Sequence, residues 1–214
     1  MFRNRSDAGI QLAARLDQYR GRNDVLVLAL PRGGVVTGYE VARALNVPLD
    51  VLIVRKIGFP GQQELAIGAV SETGTVVLNQ SIVSMGGLSK TYIDAEIKAQ
   101  KEEIARRTAI YRAGADLPRL EGKTVLLVDD GVATGATIKA AIETLKREKP
   151  GKLVIALPVG PPETMDVLRT MVDELVCIET PLTFMAVGLH YQDFTQTSDR
   201  EVVDLLRRSS AKAA

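Results

Sequence analysis

The stretch VLLVDDGVATGAT at residues 125–137 decides the fold of this chain. Its first four residues are apolar, as in a buried strand, and two adjacent carboxylates, Asp129 and Asp130, follow them directly. The small residues after the acidic pair lead into a predicted helix. Successive backbone N–H groups at such a turn attract an anion, and the helix dipole adds to the attraction. The stretch therefore predicts a strand–loop–helix unit that binds a phosphate group.

The acidic pair narrows the class of ligand. Asp129 and Asp130 carry negative charge, so they suit the vicinal hydroxyls of a sugar, or a metal ion bridging to it, better than a phosphate. The hydroxyls of Thr134 and Thr137 can donate hydrogen bonds to a phosphate, and Gly135 lets the backbone approach it closely. The stretch lacks the Gly-Lys-Ser/Thr of a P-loop and the G-x-G-x-x-G of a dinucleotide site. A ligand with a phosphate at one end and a diol nearby, such as ribose 5-phosphate, is predicted.

Buried strands alternate with helices on both sides of this stretch, which predicts an α/β fold with a mainly parallel sheet of about five strands flanked by helices. Two short apolar runs, Leu65–Val70 and Thr75–Leu78, predict a small β-hairpin. The predicted strands are Val25–Leu30, Leu49–Val54, Thr124–Val128, Leu153–Leu157 and Glu174–Ile178. The predicted helices are Asp7–Tyr19 with Ser6 as its cap, Val35–Leu45, Lys90–Arg112, Gly135–Lys149, Pro162–Met171 and one starting near Asp199.

Basic and glycine-rich residues follow two other predicted strands. Arg32, Gly33 and Gly34 follow the first strand, and Arg55 with Lys56 ends the second. In open α/β sheets, ligands bind beyond the carboxyl ends of the strands. Because the guanidinium of Arg32 can donate to two phosphate oxygens at once, this turn is a second candidate phosphate site. Two alternatives stay open. The glycines after the first strand could serve only the geometry of the turn, and Arg55 and Lys56 could be a solvated strand end.

The acidic pair and the Thr-Gly-x-Thr ending of residues 125–137 resemble the motif that binds 5-phosphoribosyl-1-pyrophosphate (PRPP) in type I phosphoribosyltransferases. The chain also carries RKIGFPG at 55–61, ELAIGA at 64–69 and a Tyr-x-Asp-Phe tail at 191–194. Together these segments look like a bacterial group of phosphoribosyltransferases whose substrate is unassigned. The resemblance covers roughly Val25 to Ile178.

The resemblance implies transfer of phosphoribosyl from PRPP to a nitrogenous acceptor, with release of pyrophosphate. Asp129, Asp130 and Arg32 would be catalytic, and Arg32, Gly33 and Gly34 would form the pyrophosphate turn. Arg55, Lys56 and Glu64 are further candidates. Mg²⁺ would be the cofactor, held indirectly by the acidic pair. The expected phosphate loop consists of Gly131, Val132, Ala133, Thr134, Gly135, Ala136 and Thr137.

The composition limits the classes of partner that we expect. A formal net charge of +1 does not indicate binding to nucleic acid or to an anionic membrane. The single cysteine, Cys177, lies in an apolar run and suggests a buried, inert thiol. We expect one domain over residues 1–214, with a core at about 25–178 and the two ends acting as hood or support. We also expect a cytoplasmic protein that binds PRPP and an unidentified small acceptor; a homodimer is expected by family analogy alone.

Two departures from the family leave alternatives open. Ala133 stands where enzymes acting on hypoxanthine and guanine carry an Asp, which argues against a 6-oxopurine acceptor. Residues 57–89 contain neither Lys nor Arg, whereas the family's mobile loop often carries one. A regulatory module that binds PRPP or a nucleotide without turnover would share the remaining motifs. A competence-type homologue is disfavoured, because one cysteine cannot build the zinc module that such proteins commonly carry.

Overall fold

The computed structural model describes residues 1–211, except for the side chains of Gln63 and Glu64. The chain divides into two compact units. The first comprises Met1–Val51, Arg119–Gly135 and the described residues from Glu148 onward. The second comprises Leu52–Pro118 and Ala136–Arg147. The expectation of a single domain over residues 1–214 stays a prediction.

The first unit contains a five-stranded, fully parallel sheet in the order β2-β1-β6-β7-β8. Every residue of its central strands β1 and β6 is buried, which explains why these segments are apolar throughout instead of alternating. The predicted α/β fold with a mainly parallel sheet is confirmed. The strands are β1 (Val25–Ala29), β2 (Leu49–Val51), β6 (Thr124–Val128), β7 (Lys152–Val159) and β8 (Glu174–Glu179).

Four helices pack within the first unit, and the core lies where α1 and α2 cover the sheet, around Leu12, Leu16 and Leu126. The first helix is capped by Asn4, whose side chain accepts from the Asp7 N–H, so the prediction that Ser6 caps it was wrong. The helices are α1 (Arg5–Ala14), α2 (Gly33–Leu45), α6 (Pro162–Arg169) and α7 (Asp199–Ser210), with short 3₁₀ turns at Asp17–Tyr19 and Val187–His190.

The second unit contains a three-stranded antiparallel sheet, β3-β4-β5, whose last two strands confirm the predicted hairpin. The predicted strand Leu49–Val54 was wrong at its end, because β2 stops at Val51 and Val54 begins β3 in this separate sheet. The strands are β3 (Val54–Phe59), β4 (Gln62–Ser71) and β5 (Val76–Leu78), and the helices are α3 (Gln80–Met85), α4 (Lys90–Arg112) and α5 (Ala136–Arg147).

The long helix α4 has the bounds that its sequence predicts. Ser89 caps its first turn by accepting from the Tyr92 N–H, and Ala113 ends it in the left-handed conformation. Ile93 packs with Ile57 and Ile67 against the antiparallel sheet, so this face of the helix is anchored. Among the helices that the structure describes, none is long and apolar enough to cross a membrane.

Candidate functional site

The acidic pair lies directly beyond the carboxyl end of β6, at the centre of the parallel sheet. The N–H of Asp130 donates to Oδ1 of Asp129 at 2.9 Å. The backbone carbonyl of Asp130 accepts a hydrogen bond from the hydroxyl of Tyr191. On its other side, Oδ2 of Asp130 accepts from Nε of Arg5 at 2.6 Å, in an ion pair whose side chains are only 11% and 15% exposed. The pair is thus fixed by its neighbours before any ligand binds.

Burial gives the two carboxylates unusual electrostatics. Desolvation raises the pKa of Asp129 well above its ordinary value, and the adjacent charge of Asp130 raises it further. Desolvation also raises the pKa of Asp130, although the hydrogen bond and positive charge of Arg5 act in the opposite direction. Burial in the free site therefore disfavours ionisation of these carboxyls, and a ligand with hydroxyl donors or positive charge would favour their ionised form.

The turn after β1 lies against the same carboxylates. Gly33 and Gly34 are the first two residues of α2, and Arg32 is its N-cap. A Cβ atom at Gly33 would overlap Oδ2 of Asp130, and one at Gly34 would lie 2.7 Å from Oδ1 of Asp129. Only glycine therefore allows this close approach. Because the first N–H groups of a helix lack intrahelical acceptors, the turn also presents backbone donors beside the acidic pair.

Arg32 is the basic side chain of that turn. Its peptide bond with Pro31 is cis. The guanidinium is 31% exposed, and its Nη1 lies 3.9 Å from Oδ1 of Asp199, in the first turn of α7. At this distance the two groups attract each other without a direct hydrogen bond, so Arg32 can still donate to an incoming anion.

The loop after the acidic pair is open at its centre and anchored at both sides. Ala133 and Thr134 are exposed, whereas Val132 is buried and donates its N–H to the Val159 carbonyl at 3.0 Å. The hydroxyl of Thr164 donates to the Ala133 carbonyl at 2.7 Å. Gly135, with φ of +77°, adopts a left-handed conformation immediately before α5 begins at Ala136. Such a turn leaves backbone N–H groups free for an anion.

Comparison with known proteins agrees with this arrangement. The sequence profile of the phosphoribosyl transferase domain matches residues 3–193. The chain belongs to the phosphoribosyl transferase domain family. A Mycobacterium tuberculosis H37Rv protein, provisionally named as a phosphoribosyl transferase, is 47% identical over 209 residues, which cover 98% of this chain and 47% of that protein. The chain thus spans about half the length of the curated relatives it matches.

A solved structure is also similar to this phosphoribosyl transferase domain. It is the crystal structure of TT1426 from Thermus thermophilus, which is 40% identical and gives a TM-score of 0.83. The match covers 97% of this chain and 98% of that chain. The family and the fold predicted from residues 125–137 are therefore confirmed.

Not every predicted site residue lies in the first unit. Asp129, Asp130 and the pyrophosphate turn come together there, but Arg55 and Lys56 lie within β3 of the second unit. The placement of these two residues at the end of the second strand was therefore wrong. Nε of Arg55 donates to Gln100 at 3.0 Å, and burial, followed by the charge of Arg107, lowers the pKa of Arg55. The side chain of Glu64 lies outside the described residues, so its role stays a prediction.

Two residues of the phosphoribosyl transferase domain were missed as parts of the site. Arg5 belongs to no motif, and Tyr191 was noted only as part of the Tyr-x-Asp-Phe tail. Tyr191 is buried, and its ring packs between Phe2 and Phe194, with centroids 5.4 Å and 4.9 Å away. Tyr191 therefore belongs to the core and also contacts the site, because its hydroxyl donates to the Asp130 carbonyl. The ring of His190 stacks on Phe184 at 5.1 Å.

The side chains present would hold a metal only with help from a ligand. Within the described part of the chain, no group of three His, Cys, Asp or Glu side chains could form a metal site. Asp129 and Asp130 supply carboxylate oxygens at one point. This donor set fits Mg²⁺, which is commonly held by one or two carboxylates together with water and substrate phosphates.

Proposed function

We propose that this domain binds PRPP and transfers its phosphoribosyl group to a nitrogenous acceptor, releasing pyrophosphate. The observation that carries the proposal is the direct contact between the buried acidic pair and the Gly33-Gly34 turn. It brings a group suited to a sugar diol next to a turn suited to a diphosphate. PRPP carries both chemical features on adjacent carbons of one ring.

Each part of the site then has a defined task. The loop from Gly131 to Thr137 would hold the 5-phosphate through its backbone N–H groups. Asp129 and Asp130 would accept hydrogen bonds from the ribose hydroxyls, and Arg32 with the adjacent N–H groups would hold the pyrophosphate. When bound, Mg²⁺ would neutralise pyrophosphate charge, with the acidic pair holding it indirectly.

Catalysis would consist mainly of positioning and charge stabilisation. The bond between the anomeric carbon and the pyrophosphate oxygen breaks, and its electron pair leaves with pyrophosphate. The acceptor nitrogen then supplies the electron pair of the new bond and loses a proton where it carries one. The buried carboxylates of Asp129 and Asp130 favour the positive charge that develops at the anomeric carbon. Arg32 would favour the negative charge of the departing group.

Several details remain predictions within this proposal. The proposed acceptor is a small molecule still to be identified, and the proposal includes a cytoplasmic location and a homodimer, the latter by family analogy. Arg55, Lys56 and Glu64 stay candidates for contacts with the substrate.

We expect turnover when the protein is incubated with PRPP, Mg²⁺ and a pool of adenine, orotate, uracil and xanthine. The release of pyrophosphate and the masses of new nucleotides measure it. The Asp129→Asn, Asp130→Asn double variant should lose this turnover, because the anomeric charge is no longer stabilised. Asp166→Asn is the matched control, since that carboxylate is exposed on α6. Saturable PRPP binding without any product would instead support a sensor that binds PRPP without turnover.

The acceptor preference gives a second expected result. Ala133 is exposed and offers a methyl group where a carboxylate could bind the amide N–H of a 6-oxopurine. Hypoxanthine and guanine should therefore be used at least about 10-fold less efficiently than the best acceptor, the loss expected for one charged hydrogen bond. Ala133→Asp should raise kcat/KM for hypoxanthine, whereas Ala133→Leu should not. Efficient wild-type conversion of hypoxanthine or guanine would contradict the assignment.

A further inference from the structure

Arg5 is a buried arginine whose role goes beyond the residues assigned above. It begins α1, yet its side chain is only 11% exposed and reaches the acidic pair. Nε donates to Oδ2 of Asp130 at 2.6 Å, and Nη1 donates to the carbonyl of Thr195 at 2.7 Å. Among the described residues, no acceptor is hydrogen-bonded to Nη2. The guanidinium is therefore held from two sides while one nitrogen stays available.

The neighbouring segments hold Arg5 in this position. Its guanidinium carbon lies 3.7 Å from the centre of the Phe194 ring, a cation–π contact. Backbone hydrogen bonds join Phe2 to the segment before α7: the Phe2 N–H donates to the His190 carbonyl at 2.8 Å, and the Gln192 N–H donates to the Phe2 carbonyl at 2.9 Å. The ion pair with Asp130, the hydrogen bond to Thr195 and the contact with Phe194 fix the side chain of Arg5. Its geometry is therefore preorganised, and little conformational entropy is lost when it binds a ligand.

The position of Arg5 relative to the turn indicates what it can bind. A Cβ atom at Gly33 would lie 2.7 Å from Nε of Arg5 and would overlap Oδ2 of Asp130. Arg5, Gly33 and Asp130 thus meet without space for another side chain. The anion proposed to bind at this turn would lie beside the guanidinium. Arg32, the basic side chain of the turn itself, also faces Asp199 at 3.9 Å.

We propose that Arg5 is a second arginine of the pyrophosphate site: Nε holds Asp130 and Nη2 donates to the pyrophosphate at the Gly33 turn. This inference rests on the proposed function. Pyrophosphate is a multiply charged anion, and a planar guanidinium can donate to a carboxylate and a phosphate oxygen at the same time. Arg5 would then link the group that binds the ribose to the group that binds the leaving diphosphate.

The test measures three ligands by calorimetry in the presence of Mg²⁺: PRPP, inorganic pyrophosphate and ribose 5-phosphate. Arg5→Gln should weaken PRPP and pyrophosphate by about 10- to 100-fold, the range for a hydrogen bond to a charged group. The affinity for ribose 5-phosphate should change less than about threefold, because that ligand lacks the diphosphate. Arg5→Lys keeps the charge but not the planar fork, so its loss should be intermediate.

Arg3→Gln is the matched control, because Arg3 is two residues away, 75% exposed and paired with Asp7. It should bind all three ligands as the wild type does. Asp130→Asn should show the opposite selectivity to Arg5→Gln, weakening ribose 5-phosphate and PRPP more than pyrophosphate. The melting temperature of each variant shows whether it is folded. If Arg5→Gln is unfolded, the affinities of Arg5→Lys for the three ligands decide the question.

The outcomes separate this inference from the proposed function. Unchanged pyrophosphate affinity in folded Arg5→Gln and Arg5→Lys, with normal PRPP binding by the wild type, would overturn the role of Arg5 alone. Equal losses for pyrophosphate and ribose 5-phosphate would make Arg5 only a structural partner of Asp130, and would also overturn it. If the wild type binds none of the three ligands, the proposed function fails and the inference fails with it.

Discussion

The Gly34→Ala variant is expected to lose at least about 100-fold in its affinity for PRPP, roughly the loss of two hydrogen bonds to a charged ligand. The added Cβ would lie 2.7 Å from Oδ1 of Asp129, 2.9 Å from its Cα and 3.1 Å from the Val128 carbonyl oxygen. Two of these three atoms belong to the backbone at the end of β6, so they cannot rotate away. The turn and the acidic pair must therefore separate. Titration of the variant with PRPP and Mg²⁺ measures the effect.

A second glycine of the same helix is the control for this experiment. A Cβ atom at Gly38 would lie 2.9 Å from the Cβ of Ala29, a contact inside the core and away from the acidic pair. Gly38→Ala should lower the melting temperature while PRPP affinity stays within about threefold of the wild type, because it strains packing only. Gly34→Ala with an affinity that close to the wild type would show that the turn does not hold the diphosphate.

The Asp129→Asn variant is expected to lose PRPP binding by about 100-fold or more and yet to melt at a higher temperature than the wild type at pH 7. Burial raises the pKa of Asp129, so the fold favours the neutral carboxyl and is destabilised when that group ionises. Asparagine is neutral at every pH, and its carbonyl oxygen can still accept from the Asp130 N–H. A rise of about 2–6 °C is expected for a chain of this size.

The pH dependence of this stability difference follows from the direction of the shift. A raised pKa in the folded state contributes stability that is fully present below the ordinary carboxyl pKa, about 4, and is lost as pH rises through the raised value. The two melting temperatures should therefore agree near pH 4 and separate as pH increases. A melting temperature difference that is the same at pH 4 and pH 8 would contradict the role of ionisation.

Asp7→Asn is a control whose expected change in melting temperature has the opposite sign. A backbone hydrogen bond from Arg3 is the largest cause that lowers the pKa of Asp7, so its ionised form is favoured by folding. This stabilisation is present above the ordinary carboxyl pKa and is lost as pH falls through the lowered value. At pH 7, Asp7→Asn should lower the melting temperature and leave PRPP affinity unchanged. The pair of variants thereby distinguishes a functional carboxylate from a structural one.

The acidic pair lowers the stability of the free protein. A buried carboxylate beside another carboxylate is unfavourable, and such unfavourable groups are common at functional sites. Arg5 relieves part of this through its ion pair with Asp130, and its positive charge also acts to lower the pKa of Asp129, against the larger effect of burial. Ribose hydroxyls and a bound cation would satisfy the remaining charge. Binding of PRPP is therefore expected to stabilise the fold by linkage, beyond the contacts of the phosphates alone.

Local sequence patterns predicted the parts of the molecule that depend on local interactions. The strand Thr124–Val128 and the helix Lys90–Arg112 were predicted with the bounds that the structure has. Both follow from short-range physics: an apolar run that must be buried, and a serine cap with a regular apolar stripe. The acidic pair was placed at the end of β6 for the same reason, since a loop after a buried parallel strand must emerge at that edge.

The sequence by itself determined the family, the parallel sheet and the acidic pair at its edge, because each is encoded by neighbouring residues. Only the tertiary structure decided which distant residues meet that pair. Arg5 and Asp130 are 125 positions apart, and Tyr191 and Asp130 are 61 apart. No spacing rule links such positions, since their contact depends on how α1 and the tail pack after the sheet has formed. The tertiary structure also ended β2 at Val51, where pairing with β1 stops, and pairing with β4 begins only at Val54.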